Sequence, residues 1–312
     1  MRVLVWHVHG SWMTSFVQGG HTYLIPVLPD RGPDGLGRSQ AHAWPENAIE
    51  VPPERLRQSD VDVAVLQRPN ELRLAQRWLA RSVPMIYVEH NTPKGDVPLT
   101  RHPMADRDDL IVAHVTHFND LFWDCGGTPR TVIEHGVIDP GDRYTGELAR
   151  TVAVINEPMR RWRVTGTDLL ALFAKVAPID LFGKQSEALR NTASVVPCGD
   201  PGQAALHEQM ARRRAYLHPC RWTSLGFSLI EAMMIGMPVV ALATTEAIEV
   251  VPADAGFLST RVDFLSEALS WLMQDASAAQ ALGARARAAA LGRYSLARFV
   301  DDWDQLLKEV RG

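Results

Sequence analysis

Between Arg221 and Val240 the chain reads Arg-Trp-Thr-Ser-Leu-Gly-Phe-Ser-Leu-Ile-Glu-Ala-Met-Met-Ile-Gly-Met-Pro-Val-Val. A glycine-containing loop here runs into an apolar helix that carries Glu231 one turn in. Gly236 and Pro238 then stop the helix, and Val239-Val240 open a strand. A loop-to-helix junction such as the one at Gly226 presents backbone N–H groups and the positive end of a helix dipole, which together make a phosphate site. A carboxylate just beyond it could accept hydrogen bonds from the two hydroxyls of a ribose. The competing reading of Glu231 is an N-terminal-turn acid favoured by the dipole alone.

Other chemistry-bearing residues are less specific. Glu89-His90-Asn91-Thr92-Pro93 puts an imidazole just after an apolar strand, either at a ligand or capping the strand end. His7 and His9 share one strand face and either bind substrate or pack. Arg160, Arg161 and Arg163 form a cationic set or a solvated basic loop. Asp60-Val-Asp62 has the spacing of a metal-binding carboxylate pair, but it leads straight into a strand and reads as a polar strand start. His114 and His117 could share a metal if helical; the run Val112–Val115 reads as strand, however, and no third ligand is evident. Arg212–Arg214 reads as a helix end favoured by the dipole, and Asp301, Asp302 and Asp304 as the solvated face of the terminal helix.

The elements that must position these residues alternate between β-rich runs and amphipathic stretches. Residues 2–8 predict a first strand followed by a Gly10-Ser11 turn. Further strands are expected at Val61–Leu66, Pro84–Val88, Leu110–Val115 and Thr131–Glu134, with helices near 70–81 and 117–125. Residues 29–57 are rich in Pro, Gly and Arg with little periodicity, which predicts long loops. Gly136–Arg150 reads as a linker, placing a domain boundary near 145. A strand at Val152–Ile155 follows it. The second half continues with helix 166–176, strand 178–182, helix 202–213, strand 215–218, helix 227–235 and strand 238–242. Asp275 and Ser295 are candidate N-caps. Leu296, Phe299, Val300, Trp303, Leu306, Leu307 and Val310 then mark one apolar face of a terminal helix. The alternation predicts an α/β fold with two parallel sheets facing a cleft: domains 1–145 and 146–294, and a helix 295–312 returning to cover the first.

Composition narrows the class. The chain has 312 residues, 46% hydrophobic and 22% charged, as in an ordinary globular protein, and its length favours two domains. A net charge of -4, from 32 Lys+Arg against 36 Asp+Glu, argues against a free-standing nucleic-acid module. Only Lys94, Lys175, Lys184 and Lys308 are lysines, so the positive charge is mostly arginine, whose planar fork suits phosphate and carboxylate; codon bias explains the same skew. Cys125, Cys198 and Cys220 form no CxxC spacing and no even framework, which favours a reducing compartment. The N-terminus turns polar by His7, and no apolar run reaches the roughly 20 residues that span a bilayer. The expectation is a cytoplasmic protein, with room for peripheral membrane contact.

The 221–240 segment resembles the donor-binding signature of retaining glycosyltransferases of the GT-B fold, specifically family four, the group 1 glycosyltransferases. That signature is a glutamate, seven residues, a second glutamate, Ala and a Gly-x-Pro-Val-Val ending. Glu231-Ala232 matches the second glutamate, which in the family binds the nucleotide ribose, and Gly236-x-Pro238-Val239-Val240 matches the ending. Phe227-Ser228-Leu229 falls where family members present backbone amides to the donor diphosphate. The first glutamate is replaced by Thr223; it or Ser224 would act as hydroxyl partner to the donor sugar. Gly10-Ser11 resembles the family's Gly-Gly phosphate loop, Gly20-His21 its Gly-His before the second strand, and Val132-Ile-Glu-His-Gly-Val137 the close of its N-terminal domain. Glu89–Pro93 resembles the loop whose histidine lies near the donor sugar, which implies that role for His90. A Gly-Arg-x-x-x-x-Lys-Gly pattern, spaced back from Gly166, puts its arginine at Arg160 and its lysine at Thr165. One expected cation is thus missing, and Arg163 or Lys184 would supply it.

The resemblance implies transfer of a hexose from a nucleoside-diphosphate sugar to a hydroxyl on a glycan, lipid or natural product, with retention of anomeric configuration. Cations at the diphosphate are sensible because negative charge develops there as the glycosidic bond breaks. No cofactor and no metal are implied. Two alternatives stay open: a degenerate binding subunit of the same fold, motivated by Thr223 and Thr165, and a nucleotide-sugar epimerase or phosphorylase.

Overall fold

The structure, a computed structural model, describes residues 1–312. It divides into two compact units, Met1–Gly136 with Leu296–Gly312, and Val137–Ser295. The first unit therefore closes at Gly136, the first residue of the stretch that reads as a linker, and includes the terminal helix.

In the first unit the strands are β1 (Arg2–Val5), β2 (Thr22–Pro26), β3 (Ala48–Val51), β4 (Val63–Leu66), β5 (Met85–Glu89), β6 (Leu110–His114) and β7 (Arg130–Val132). They form one sheet in the order β3-β2-β1-β4-β5-β6-β7, and every pairing is parallel. Helices α1 (Gly10–Phe16), α2 (Pro53–Leu56), α3 (Pro69–Trp78), α4 (His117–Phe122) and α11 (Leu296–Arg311) belong to the same unit. The run Val-Ala-Val-Leu in β4 is buried at every position, as a central parallel strand covered on both faces requires.

Helix α11 lies on α1. The Trp303 ring meets Trp12 and Phe16 edge-on, at centroid distances of 5.5 and 5.0 Å. Phe299 packs so closely on Gly136 that a Cβ there would stand 2.1 Å from the Phe299 Cβ. Polar contacts pin the helix along its length: Arg298 donates to the Glu134 carbonyl at 3.0 Å, Asp304 meets His21 at 3.2 Å, and Arg311 meets Asp62 at 3.3 Å.

The second unit carries β8 (Leu148–Val154), β9 (Ile179–Phe182), β10 (Val195–Pro197), β11 (Arg213–His218), β12 (Val239–Leu242) and β13 (Gly256–Ser259), again all parallel, in the order β10-β9-β8-β11-β12-β13. Its helices are α5 (Thr167–Phe173), α6 (Gln203–Ala211), α7 (Phe227–Ile235), α8 (Ala247–Val250), α9 (Val262–Gln274) and α10 (Ala276–Tyr294). From Leu229 to Ile235 every residue of α7 is buried, so this helix is enclosed on all sides rather than amphipathic. Helix α10 approaches it closely because Gly283 has no side chain: a Cβ there would come within 1.9 Å of the Gly236 carbonyl oxygen. Asp275 caps α10 by accepting from the Ala278 amide at 2.9 Å, as its position suggested.

Four local expectations are corrected. Strand β1 ends at Val5. Gly10-Ser11 is no turn but the start of α1, whose residues from Trp12 to Phe16 are buried. The loop-like stretch 29–57 contains β3, held by β2 on one side only, and α2. Arg212–Arg214 do not end a helix, since α6 stops at Ala211 and Arg213 opens β11. There the buried Arg213 guanidinium donates from Nε to Asp180 at 2.8 Å, and Arg150 pairs with the same carboxylate. A buried carboxylate on β9 needs such partners, and that tertiary demand overrides the local helix-end preference.

Candidate functional site

In an open parallel sheet, ligands bind beyond the carboxyl ends of the strands where the strand order reverses. In the second unit that point lies between β8 and β11. The loop after β8, residues 155–166, and the loop after β11, residues 219–226, flank it and are tied together. The amides of Arg221 and Trp222 both donate to the Val164 carbonyl, at 2.9 and 3.2 Å. Arg221 reaches Asp168 in a two-pronged ion pair at 2.6 and 2.9 Å. Gly166, at φ +70°, sits where a Cβ would come within 1.9 Å of the Pro219 carbonyl oxygen. Only glycine permits this approach, and its left-handed conformation adds to the requirement.

Helix α7 leaves the second of these loops. No side chain caps it at Gly226, so its first-turn amides at Phe227 and Ser228 point out of the helix N-terminus. The Leu229 amide is engaged by the Gly226 carbonyl at 3.0 Å, which withdraws it from the expected amide set. The Ser228 hydroxyl is fixed by Tyr216 at 2.8 Å. His218, at the end of β11, lies against Gly226, and burial lowers its pKa to about 4. It is a neutral imidazole at the floor of the junction.

Glu231 stands one turn into α7 with only 5% of its surface exposed. Two side chains of α6 reach it, both at Oε1: Gln203 donates from Nε2 at 2.8 Å, and His207 Nε2 lies 3.5 Å away. Reading the sequence missed both partners. Their spacing of four residues on an expected helix was the available signal, since it places them on one face.

The remaining expected donor-site residues separate into groups. Arg160 is exposed and held by Glu157, with Nε to Oε1 at 2.9 Å, an ion pair that lowers the Glu157 pKa. Arg163 is drawn to Asp168 at 2.9 Å beside Arg221. Lys184 is exposed just past β9, and its backbone joins the loop after β8: its amide donates to Asn156 Oδ1 at 2.9 Å and its carbonyl accepts from the Glu157 amide at 2.8 Å. Thr223 is half-buried within the 219–226 loop. Thr165 needs correction: it is 2% exposed, and its hydroxyl donates to the Arg161 carbonyl at 3.1 Å and bonds the Thr167 hydroxyl at 2.9 Å. It braces the loop and presents nothing to a ligand.

In the first unit, His90 follows β5 and stacks on His9, with ring centroids 3.9 Å apart; Trp12 meets it edge-on at 5.2 Å. Its Nε2 is buried and has no hydrogen-bond partner. Burial holds the His90 pKa well below the ordinary range, lowers that of His9 to about 4 and that of His135 to about 3. Neutral His90 thus offers one unengaged ring nitrogen. Gly10 and Ser11 open α1 directly after His9. His7 is turned elsewhere, bonding the Gly37 carbonyl at 3.0 Å and lying on Trp44. Neighbouring Glu89 is occupied by His102 at 3.0 Å and by the Asn91 amide at 2.6 Å. The two doubtful metal pairs have structural roles: Asp62 accepts from the Arg2 amide at 2.7 Å, and the ring of buried His114 lies 3.5 Å from Cys125.

Comparison with solved structures gives the class. HepE of Anabaena in complex with UDP is similar at a TM-score of 0.74 and 15% identity, over 99% of this chain and 100% of HepE. Sucrose-phosphate synthase of Thermosynechococcus elongatus is similar at 0.73 and 14% identity, over 99% of both chains. TarM is similar at 0.62 and 14% identity over 78% of this chain and 54% of TarM, so the chain spans about half of that protein's length. The fold is that of the GT-B glycosyltransferases. Residues 181–289 match the family described as glycosyl transferases group 1, so the second unit, from β9 into α10, carries the sequence signature that the Glu231 and Gly236-x-Pro-Val-Val positions resemble. A search of curated proteins finds no significant match.

Proposed function

We propose that the protein transfers a hexose from a nucleoside-diphosphate sugar to an acceptor hydroxyl on a glycan, lipid or natural product, with retention of anomeric configuration. The observation that carries this reading is Glu231. It is a nearly buried carboxylate one turn into α7, met by Gln203 and His207 of α6, beside a helix N-terminus without a side-chain cap. A lone dipole-favoured acid would point to solvent. This one is enclosed and anchored, as a ribose acceptor has to be.

In this reading Glu231 accepts from the ribose hydroxyls, and the amides at Phe227 and Ser228 hold the diphosphate on the axis of α7. Arg160 adds positive charge, with Lys184 as the second cation in place of the buried Thr165. His90 is the neutral imidazole for a sugar hydroxyl. Thr223 stands where a glutamate would otherwise meet the sugar, so same-face substitution proceeds with the departing phosphate oxygen assisting removal of the acceptor proton. Amides, dipole and arginine together meet the charge that develops on the diphosphate, and the reaction calls for no metal. The lack of any cysteine pairing motif supports a cytoplasmic setting.

A thermal-shift screen of UDP-, GDP- and TDP-sugars, followed by turnover with hydroxyl acceptors and anomeric assignment of the product by NMR, tests the reading. Stabilisation by one donor class and a product of unchanged configuration are expected. Donor binding without turnover on any acceptor would favour a degenerate binding subunit, the second reading that Thr223 and buried Thr165 support.

A further inference from the structure

Helix α6 meets α7 at the ribose side of the candidate site. Gln203 is the first residue of α6, immediately after Gly202, and His207 is one turn further. Both side chains converge on Glu231 Oε1, while the carboxylate and the imidazole are only 7% and 8% exposed. His207 Nε2 is buried and has no hydrogen-bond partner; the Glu231 carboxylate stands 3.5 Å from it. Nothing else in the fold accounts for an imidazole nitrogen aimed at a buried acid.

We propose that Gln203 and His207 are positioning residues: they fix the Glu231 carboxylate with Oε1 toward α6 and Oε2 toward the ribose diol, and thereby set discrimination for ribose over deoxyribose. This rests on the reading of Glu231 as the ribose acceptor. A carboxylate held on one oxygen loses its torsional freedom, so its second oxygen keeps one direction in which to accept. The choice of partner also matters. An arginine or lysine in the place of Gln203 would compensate the negative charge, whereas its amide orients the carboxylate and leaves the charge to the hydroxyl donors, where charge-assisted hydrogen bonds are strongest. Gln203 is half-buried at the surface end of α6, so replacing it disturbs little packing.

The test is calorimetry with UDP, 2′-deoxy-UDP and 3′-deoxy-UDP, repeated with the guanosine set, on the full chain and on Gln203→Leu, His207→Leu and Glu231→Ala. The native protein is expected to prefer the ribonucleotide tenfold or more over a deoxy analogue. Gln203→Leu and His207→Leu should each cut that preference at least threefold by weakening the ribonucleotide while leaving deoxy affinities unchanged, and should raise donor KM with kcat kept. A merely structural role weakens all three ligands together, and that result overturns the proposal. So does an unchanged preference in both α6 variants when Glu231→Ala abolishes it. If Glu231→Ala itself keeps the preference, or if neither ribonucleotide binds, the ribose reading of Glu231 fails first. Gln203→Asn, which keeps an amide on a shorter stem, should recover part of the preference if orientation is the cause.

Discussion

The imidazoles of His9 and His90 stack with centroids 3.9 Å apart and an interplanar angle of 35°. Two cations cannot occupy that arrangement, and burial lowers the pKa of both rings, that of His9 to about 4. His135 and His114 in the same unit are lowered to about 3 and about 4, burial being the main cause for each. In the unfolded chain these rings titrate near 6.5, so below that pH the unfolded state binds protons that the folded state refuses. Their contribution to stability is complete above pH 6.5 and is lost as pH falls toward 4, at about 1.4 kcal/mol per pH unit for each group. Urea unfolding followed at pH 7.5, 6.0 and 5.0 should show a steep decline. Constant stability over that range would mean that the rings are hydrated or charged in the native state.

The junction of the two loops at the switch point of the second unit depends on Gly166. Gly166→Ala combines a strained positive φ with a clash against the Pro219 carbonyl, 1.9 Å from the new Cβ. Strain of this kind costs about 1–3 kcal/mol and overpacking a similar amount, so the Tm should drop by several degrees. Nucleotide affinity should fall as well, because the Arg221 and Trp222 amides leave Val164. Retained stability and affinity would show that the loops yield without consequence.

Much of the scaffold can be read from residue types. Val63–Leu66 and Val239–Leu242 are valine-rich apolar runs buried on both faces, and Gly236 and Pro238 frame the end of α7 so firmly that its range is found to the residue. Other elements escape because their determinants are nonlocal. Helix α1 begins with Gly-Ser and is stabilised by the burial of Trp12 and Phe16 under α11, so it exists only once residues almost three hundred positions away are in place. Arg213 reads as helix end until the buried Asp180 is known. Thr165 occupies a motif position, yet its burial removes it from any ligand. Glu231 is legible from its motif, but Gln203 and His207 acquire meaning only through the packing of α6 on α7.

The terminal helix belongs energetically to the first unit. Trp303 and Phe299, 2% and 0% exposed, fill the surface of α1. Trp303→Ala should cost about 3–5 kcal/mol, as truncation of a buried aromatic does. Deleting residues 295–312 should accelerate hydrogen exchange in β1 and α1, far away in sequence. Unchanged protection throughout 1–135, with loss confined to 137–294, would contradict this.

In the proposed reading amides, a helix dipole and arginine hold the diphosphate, and the two carboxylates with metal-pair spacing are already engaged, Asp62 by the Arg2 amide and Asp60 by Arg81. Transfer activity is therefore expected to survive dialysis against EDTA. Loss that only manganese or magnesium reverses would refute this.

The central claim is that the carboxylate of Glu231 binds a nucleotide ribose, and one titration addresses it. Native protein and Glu231→Gln are compared by calorimetry with the nucleoside diphosphate that stabilises the native protein most. Hydrogen bonds to a charged group contribute about 1.5–3 kcal/mol each, so removing the charge while keeping the shape should weaken binding by about ten- to a hundredfold. The melting temperature of the free protein should change little. Equal affinity in the two proteins would contradict the ribose role.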